Sequence, residues 1–255
     1  MPELLARKTA LILGVANKWS LAYAIAQAFR REGANLLLTY QGERQKETVT
    51  ELGSELGAAT IFECDVTREE DLTKLAETVR QHGRLDTLVH SIAFANREDL
   101  TKPFLETSRA GYLLAQDVSA YSLVSAARAV APLMTEGGSV ITLSYLGATR
   151  VVTNYNVMGV AKAALEACVR YLSSDLGPSN IRVNAISAGP VKTASARAVA
   201  GLSKMLETMP TRAPLRRNCT PEEVADAAVF LASDLGRGVT GNVLFVDAGY
   251  QVMGF

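Results

Sequence analysis

Metal ligands are scarce in this chain. Its 255 residues include 2 histidines, His82 and His90, and 3 cysteines, Cys64, Cys168 and Cys219, with no H-E-x-x-H and no C-x-x-C spacing. A structural or catalytic metal is therefore disfavoured on ligand supply alone. The scattered cysteines read as reduced, mostly buried thiols, which fits a cytoplasmic protein. No charge of one sign is in excess: 26 basic residues balance 26 acidic ones. That leaves no basic stripe for nucleic acid and no acidic tail for a disordered partner. No apolar run reaches the roughly 18 residues that a membrane span requires. The N-terminal M-P-E-L-L-A-R-K is too short and too charged to act as a signal peptide.

Apolar residues are abundant, at 48% of the chain, and they come in alternating blocks. Thr9–Gly14 is a short apolar run ending in glycine, the pattern of a strand buried on both faces. Ser20 is a good N-cap for an alanine-rich helix running to Glu32, with Gly33 as its stop. Ala34–Tyr40 is a second strand, so the chain opens with a βαβ unit. Further strands are expected at Ala59–Glu63, Leu85–His90, Ser139–Leu143, Ile181–Ile186 and Val243–Asp247. Helices are expected at Glu43–Leu56, Arg68–His82, Gly111–Met134 and Asn156–Leu176, and from the Thr220-Pro221-Glu222-Glu223 cap to Ser233. Arg97–Ala110 reads as loop and short helix. Residues 194–209, rich in Ala, Ser, Leu and Met and bounded by Pro210, fit either a mobile lid over an apolar ligand or a surface helix pair. The alternation predicts one α/β domain over residues 1–255. Its architecture is a Rossmann-like, doubly wound parallel sheet of about seven strands with helices on both faces.

An opening βαβ unit is where such sheets bind dinucleotides, yet the usual G-x-G-x-x-G is absent. Gly14 allows a tight turn, and the Ser20 hydroxyl and following helix N-terminus suit a pyrophosphate. A plain strand-to-helix connection explains the same residues. Asp65-Val66 follows the third strand, where Asp65 serves equally as an acceptor for an adenine amino group or as a helix N-cap. The small residues after the fourth strand, Ser91-Ile92-Ala93, let a ligand approach the backbone.

The chemistry concentrates between Ser144 and Lys162. Tyr145 falls at the carboxyl end of a strand. Tyr155 and Lys162 are seven residues apart, two helical turns, so they share a face. An ammonium beside a phenol favours the phenolate.

These motifs, in this order, resemble the short-chain dehydrogenase/reductase superfamily along the whole chain. They are the glycine turn at Gly14, Asp65-Val66, Tyr and Lys on one helix, N-A-I-S-A-G-P-V-K-T at 184–193, and T-G-N-V-L-F-V-D-A-G-Y at 240–250. Four departures narrow the resemblance. Met158 stands where most of the superfamily has the tyrosine of Y-x-x-x-K, so the spacing is Y-x6-K. Tyr145 occupies the usual serine position. S-I-A-F-A replaces N-N-A-G after the fourth strand. The first turn is G-V-A-N-K-W-S-L-A. Together they resemble the enoyl-acyl-carrier-protein reductases of bacterial and plastid fatty-acid synthesis.

The resemblance implies reduction of a trans-2-enoyl thioester on acyl carrier protein by a nicotinamide cofactor. Hydride at C3 puts charge on an oxygen two carbons away, and a tyrosine one turn further from the lysine suits that displaced oxygen. Tyr155 would serve the enolate oxygen, Lys162 the cofactor ribose, and Tyr145 would close the pocket over the acyl chain. Gly14, Ser20 and Leu21 would line the pyrophosphate, and Asp65 and Val66 the adenine. Ser91, Ile92 and Ala93 would line the ribose and nicotinamide, and Val191 and Thr193 the carboxamide and phosphates. Ala95, Met158, Ala194, Ala196 and Leu202 would border the acyl pocket. Neutral Gln41, with only Arg44 beside Glu43, favours NADH and leaves NADPH open. The resemblance also implies a homotetramer built on the two long helices, with Arg197 and Lys204 near the lid available to an acidic carrier protein. The alternatives left standing are a carbonyl or 3-oxoacyl reductase of the same superfamily and a non-catalytic dinucleotide-binding protein.

Overall fold

A computed structural model describes residues 3–191 and 202–254, with Leu202 described in its backbone only. The first strand, β1 (Thr9–Leu13), is buried throughout, as its unbroken apolar run requires. It is followed by α1 (Leu21–Arg31), β2 (Asn35–Tyr40), α2 (Glu43–Glu55), β3 (Thr60–Glu63), α3 (Glu69–Gln81) and β4 (Thr87–His90). After β4 come the short α4 (Arg97–Thr101), α5 (Arg109–Gln116), α6 (Ser122–Val130), β5 (Gly138–Ser144) and α7 (Asn156–Leu176). The chain ends with β6 (Ile181–Ala188), α8 (Leu202–Arg212), α9 (Pro221–Ala232) and β7 (Val243–Val246).

These strands form one seven-stranded sheet in the order β3-β2-β1-β4-β5-β6-β7, parallel at every pairing. Successive strand residues point to opposite faces. Ala10 and Ile12 join a core made with α1 and α9, while Leu11 and Leu13 join another made with α3, α6 and α7. The sheet is therefore covered on both sides, which is why β1, near its centre, carries no polar alternation.

Two expected elements differ. The helix expected over Gly111–Met134 is not uniform: a π-helical turn, Asp117–Tyr121, separates α5 from α6, and a 3₁₀ turn, Ala131–Leu133, follows. Ser119 in the π turn is held across the fold, accepting from the Phe94 N–H at 2.9 Å and donating to the Phe94 carbonyl at 3.1 Å. A periodicity of 3.6 does not reveal one extra residue whose reason lies in another loop. Pro210 does not bound its helix but lies inside α8, which continues to Arg212.

Strand order reverses between β1 and β4. The chain winds outward through β2 and β3, then returns to place β4 on the other side of β1, which opens a crevice at the carboxyl ends of these two strands.

Candidate active site

The crevice holds a cavity of about 320 Å³, within the roughly 300–1,000 Å³ of small-molecule sites. Its walls include Gly14, Ser20, Leu21, Ser91, Ile92, Ala93, Ala95, Tyr145, Tyr155, Met158, Lys162 and Val191. Twelve of the residues assigned above to cofactor or substrate thus meet around one space. Gly14 sets its floor: φ is +94°, and a Cβ there would lie 2.1 Å from the Ser91 carbonyl oxygen. Only glycine lets β1 and the loop after β4 close so tightly. Ser20 caps α1, accepting from the Tyr23 N–H at 3.2 Å, while its own proton goes to the Asn17 carbonyl at 2.7 Å. Leu21, the first residue of α1 and a cavity residue, has an N–H without a partner inside the helix and so offers the cleft a donor. This amide-lined helix start, above a floor where a side chain cannot fit, suits the diphosphate of a dinucleotide.

Tyr155 and Lys162 approach the cavity differently from the expected shared helical face. Tyr155 is the N-cap of α7, the residue just before the helix, with its own backbone in the right-handed helical region. It is flanked by two asparagines with left-handed backbone, Asn154 at φ +65° and Asn156 at φ +39°, a conformation that asparagine tolerates better than most residues. The Asn156 amide donates to the carbonyls of Leu100 (3.2 Å) and Lys102 (2.8 Å), fixing the turn against α4. The Tyr155 ring lies against Gly147, where a Cβ would come within 2.4 Å of it. It meets the Tyr145 ring edge-on, with centroids 4.9 Å apart. Lys162 is buried, and its Nζ donates to the Leu143 carbonyl at 2.7 Å.

The electrostatics reverse one expectation. Burial, reinforced by Tyr145, raises the Tyr155 pKa, so enclosure outweighs any help from the lysine and the phenol stays protonated. Burial likewise pushes Tyr145 up to about 12. Lys162 moves the other way, lowered by burial to about 8 against the opposing charge of Glu166.

Behind this pair lies a buried polar layer that the sequence did not single out. His90 at the end of β4 is fully enclosed, with Nδ1 2.9 Å from the Thr142 hydroxyl and Nε2 2.8 Å from the Ser122 hydroxyl. Burial, aided by the charge of Lys162, lowers its pKa from 6.5 to about 3. Between those values the unfolded chain binds a proton that the folded chain refuses. The stability His90 contributes is therefore complete above pH 6.5 and falls as pH drops through the window. Each pH unit costs about 1.4 kcal/mol. Urea midpoints should accordingly decline more steeply on acidification for the wild type than for His90→Asn. Parallel declines would show that His90 does not set the acid limit.

Gln41 and Asp65, which follow the carboxyl ends of β2 and β3, and Val66 are not among the residues that wall this cavity. The Gln41 amide donates to Asp65 at 3.0 Å, and the N–H and hydroxyl of Thr67 donate to the other carboxylate oxygen at 3.0 and 2.7 Å. Burial opposes ionisation of Asp65, but these bonds outweigh it and hold its pKa below the usual range. Asp65 is not the cap of α3, whose N-cap position is Arg68. Val66 is buried in the core beside it.

Thr193, Ala194, Ala196 and Arg197 lie outside the described residues. The next segment does reach the site: from α8, Met205 lines the cavity and accepts a hydrogen bond from the Tyr145 hydroxyl at 3.7 Å. Met205 and Asn17, both cavity residues, were missed because nothing in their local sequence marks them. Among the described residues no cluster of three or more His, Cys, Asp or Glu side chains could hold a metal.

A doubly wound parallel sheet with a nucleotide crevice at its reversal point, and a buried tyrosine and lysine on its carboxyl side, defines an oxidoreductase of the short-chain dehydrogenase/reductase type. Comparison with known proteins narrows this. Residues 14–251 match the model of a family described as enoyl-(acyl carrier protein) reductase. An NADH-type enoyl-acyl-carrier-protein reductase, FabI, of Nostoc sp. is 54% identical over 97% of each chain. The crystal structure of the Bacillus cereus reductase with NADP+ and indole naphthyridinone superposes with a TM-score of 0.98 at 53% identity, covering 99% of this chain and 100% of that one. The Anaplasma phagocytophilum reductase with NAD superposes with a TM-score of 0.95 at 44% identity, covering 100% and 96%. The chain belongs to the enoyl-acyl-carrier-protein reductase family.

Proposed function

We propose that this protein reduces the trans-2 double bond of enoyl thioesters carried on acyl carrier protein, using NADH, with NADPH as a second donor. The observation that carries this reading is the tyrosine held at the start of α7, beside a second tyrosine and in front of a buried lysine. NADH held in the crevice would supply hydride to C3 of the thioester, with the proton for C2 coming from solvent. Negative charge then appears on the thioester oxygen and needs a donor. Tyr155 is that donor: its phenol is neutral and fixed at its ring by Gly147 and Tyr145. Lys162 spends one N–H on the Leu143 carbonyl and would use the others on the cofactor ribose hydroxyls. Tyr145 and Met158 wall the acyl side. Gln41 would hold the adenosine ribose, and Asp65, kept ionised by its own donors, would accept from the adenine amino group.

On this reading, cofactor absorbance at 340 nm falls with a trans-2-enoyl thioester and stays level with a 3-oxoacyl thioester. Oxidation with the 3-oxo compound alone would replace the reading with a carbonyl reductase. Residues 1–255 act as one domain, with the segment near 194–210 as its substrate lid. We place the enzyme in the cytoplasm, in keeping with its three free thiols; among the described residues no helix is long and apolar enough to cross a membrane. We also propose a homotetramer, supported by Leu113 and Tyr171, which are exposed on α5 and α7. Exposed Lys204, on α8 near the mouth of the site, suits an acidic carrier protein.

A further inference from the structure

The reduction as described uses no residue below Lys162 on α7, yet a carboxylate is buried there. Glu166 lies one turn from Lys162 on the same helix, and both side chains are enclosed, at 6% and 5% exposure. A charged group at that depth is costly unless something offsets it. One partner is clear: the Ser144 hydroxyl, itself buried, donates to Glu166 Oε1 at 2.5 Å. Ser144 is the last residue of β5, and the next residue is Tyr145. On its other side it follows Leu143, whose carbonyl accepts from Lys162. Two adjacent residues of β5 are thus tied to two successive turns of α7, one through the lysine and one through the glutamate.

We propose that Glu166 is a positioning residue of the active site, clamping the end of β5, and with it Tyr145, to the turn of α7 that bears Lys162. The clamp fixes the gap between strand and helix in which the Tyr145 ring meets Tyr155. Burial raises the Glu166 pKa, against the opposing effects of the Ser144 bond, Arg170 and Lys162, and the ionised carboxylate one turn away opposes loss of the Lys162 proton. The other titratable groups around the pair are few. Arg170 lies one turn further along α7 and acts on Glu166. His90 on β4 faces Lys162 and stays neutral. Tyr145 and Tyr155 line the cavity in front and stay protonated. Glu166 is therefore the one anion among the groups described here that opposes loss of the lysine proton.

The test separates the tie from the charge. Glu166→Gln keeps an acceptor for Ser144 and removes the charge. Calorimetric NADH affinity measured from pH 6.5 to 9.5 should lose its alkaline limb at a pH lower by half a unit or more than in the wild type, with little change at pH 6.5. Ser144→Ala removes the tie and keeps the charge. Its kcat should fall severalfold with the KM for NADH unchanged and the alkaline limb in place, and Ser144→Thr, which restores the hydroxyl, should recover most of that loss. A limb in Glu166→Gln that coincides with the wild type overturns the role of the charge. Equal kcat in the alanine, threonine and wild-type proteins overturns the clamp, and this arm decides the matter if Glu166→Gln does not fold. The inference rests on the reductase reading, and the two fail separately. If the wild type binds NADH but leaves enoyl thioesters unreduced, that reading fails while the affinity profile still tests Glu166.

Discussion

Tyr155→Phe should lower turnover of a trans-2-enoyl thioester by roughly 10²-fold, the usual cost of removing one donor to a developing oxyanion, and leave NADH affinity within about threefold. The substitution deletes one oxygen from a ring that the fold holds by its faces and edges. Gly147 packs beneath that ring and Tyr145 meets its side, and phenylalanine keeps both contacts. The flanking turn is held by Asn156 through backbone carbonyls near α4, which the change does not touch. Stability should therefore hold or rise slightly, because burial already disfavours a polar atom there. Steady-state kinetics and a calorimetric titration separate the two effects. A kcat within a factor of three of the wild type would remove Tyr155 from the chemistry. A parallel loss of cofactor affinity would instead make it a binding residue.

That expectation differs in one respect from the one that spacing alone supports. A Y-x6-K pair suggests two helical turns and a phenol acidified by its neighbour. The lysine lies within α7, whereas the tyrosine caps its start. Two asparagines turn the backbone left-handed on either side of it, and the amide of one is anchored by contacts 56 and 54 residues away in sequence. Asparagine signals a possible turn, but which turn forms depends on α4 (Arg97–Thr101), whose bounds the expected loop and short helix of Arg97–Ala110 did not fix. The protonation state was likewise out of reach, because it depends on how much of the ring the fold encloses. By contrast, the sheet could be read directly. The inner strands β1, β4 and β5 are buried along nearly their whole length, so they stand out as short, mainly apolar runs between turn and cap signals. The crevice followed from that order, since Gly14 ends the first strand and Ser91 follows the fourth. Ser119, Met205 and Glu166 were invisible for the opposite reason: each is an ordinary residue for its helix, and only packing brings it to the site.

Lys162→Met should weaken NADH binding and lower turnover together, while changing the stability of the apoprotein in a pH-dependent way. The charged amine is enclosed and its pKa is lowered from 10.5 to about 8. Below pH 8 the folded protein carries this charge out of water. Between about 8 and 10.5 the unfolded chain binds a proton that the folded chain has released, so stability rises with pH across that interval. The span corresponds to roughly 3 kcal/mol, set against the cost of leaving the Leu143 carbonyl without its donor, about 1–3 kcal/mol. Methionine has nothing to desolvate and nothing to titrate. At pH 7 the variant should be at least as stable as the wild type, and its advantage should shrink as pH rises toward 10. Cofactor affinity runs the other way. Charge-assisted hydrogen bonds to ribose hydroxyls are worth about 1.5–3 kcal/mol, so their loss should raise the Kd for NADH by about 10- to 100-fold at pH 7. Wild-type affinity should itself fall as pH rises through about 8, whereas that of the methionine variant should stay flat. Chemical denaturation and calorimetry over the same pH series check both halves. A methionine variant that is less stable yet binds NADH normally would mean that the lysine serves the fold. One that is more stable and binds poorly would mean that the buried charge is kept for the cofactor at the expense of stability.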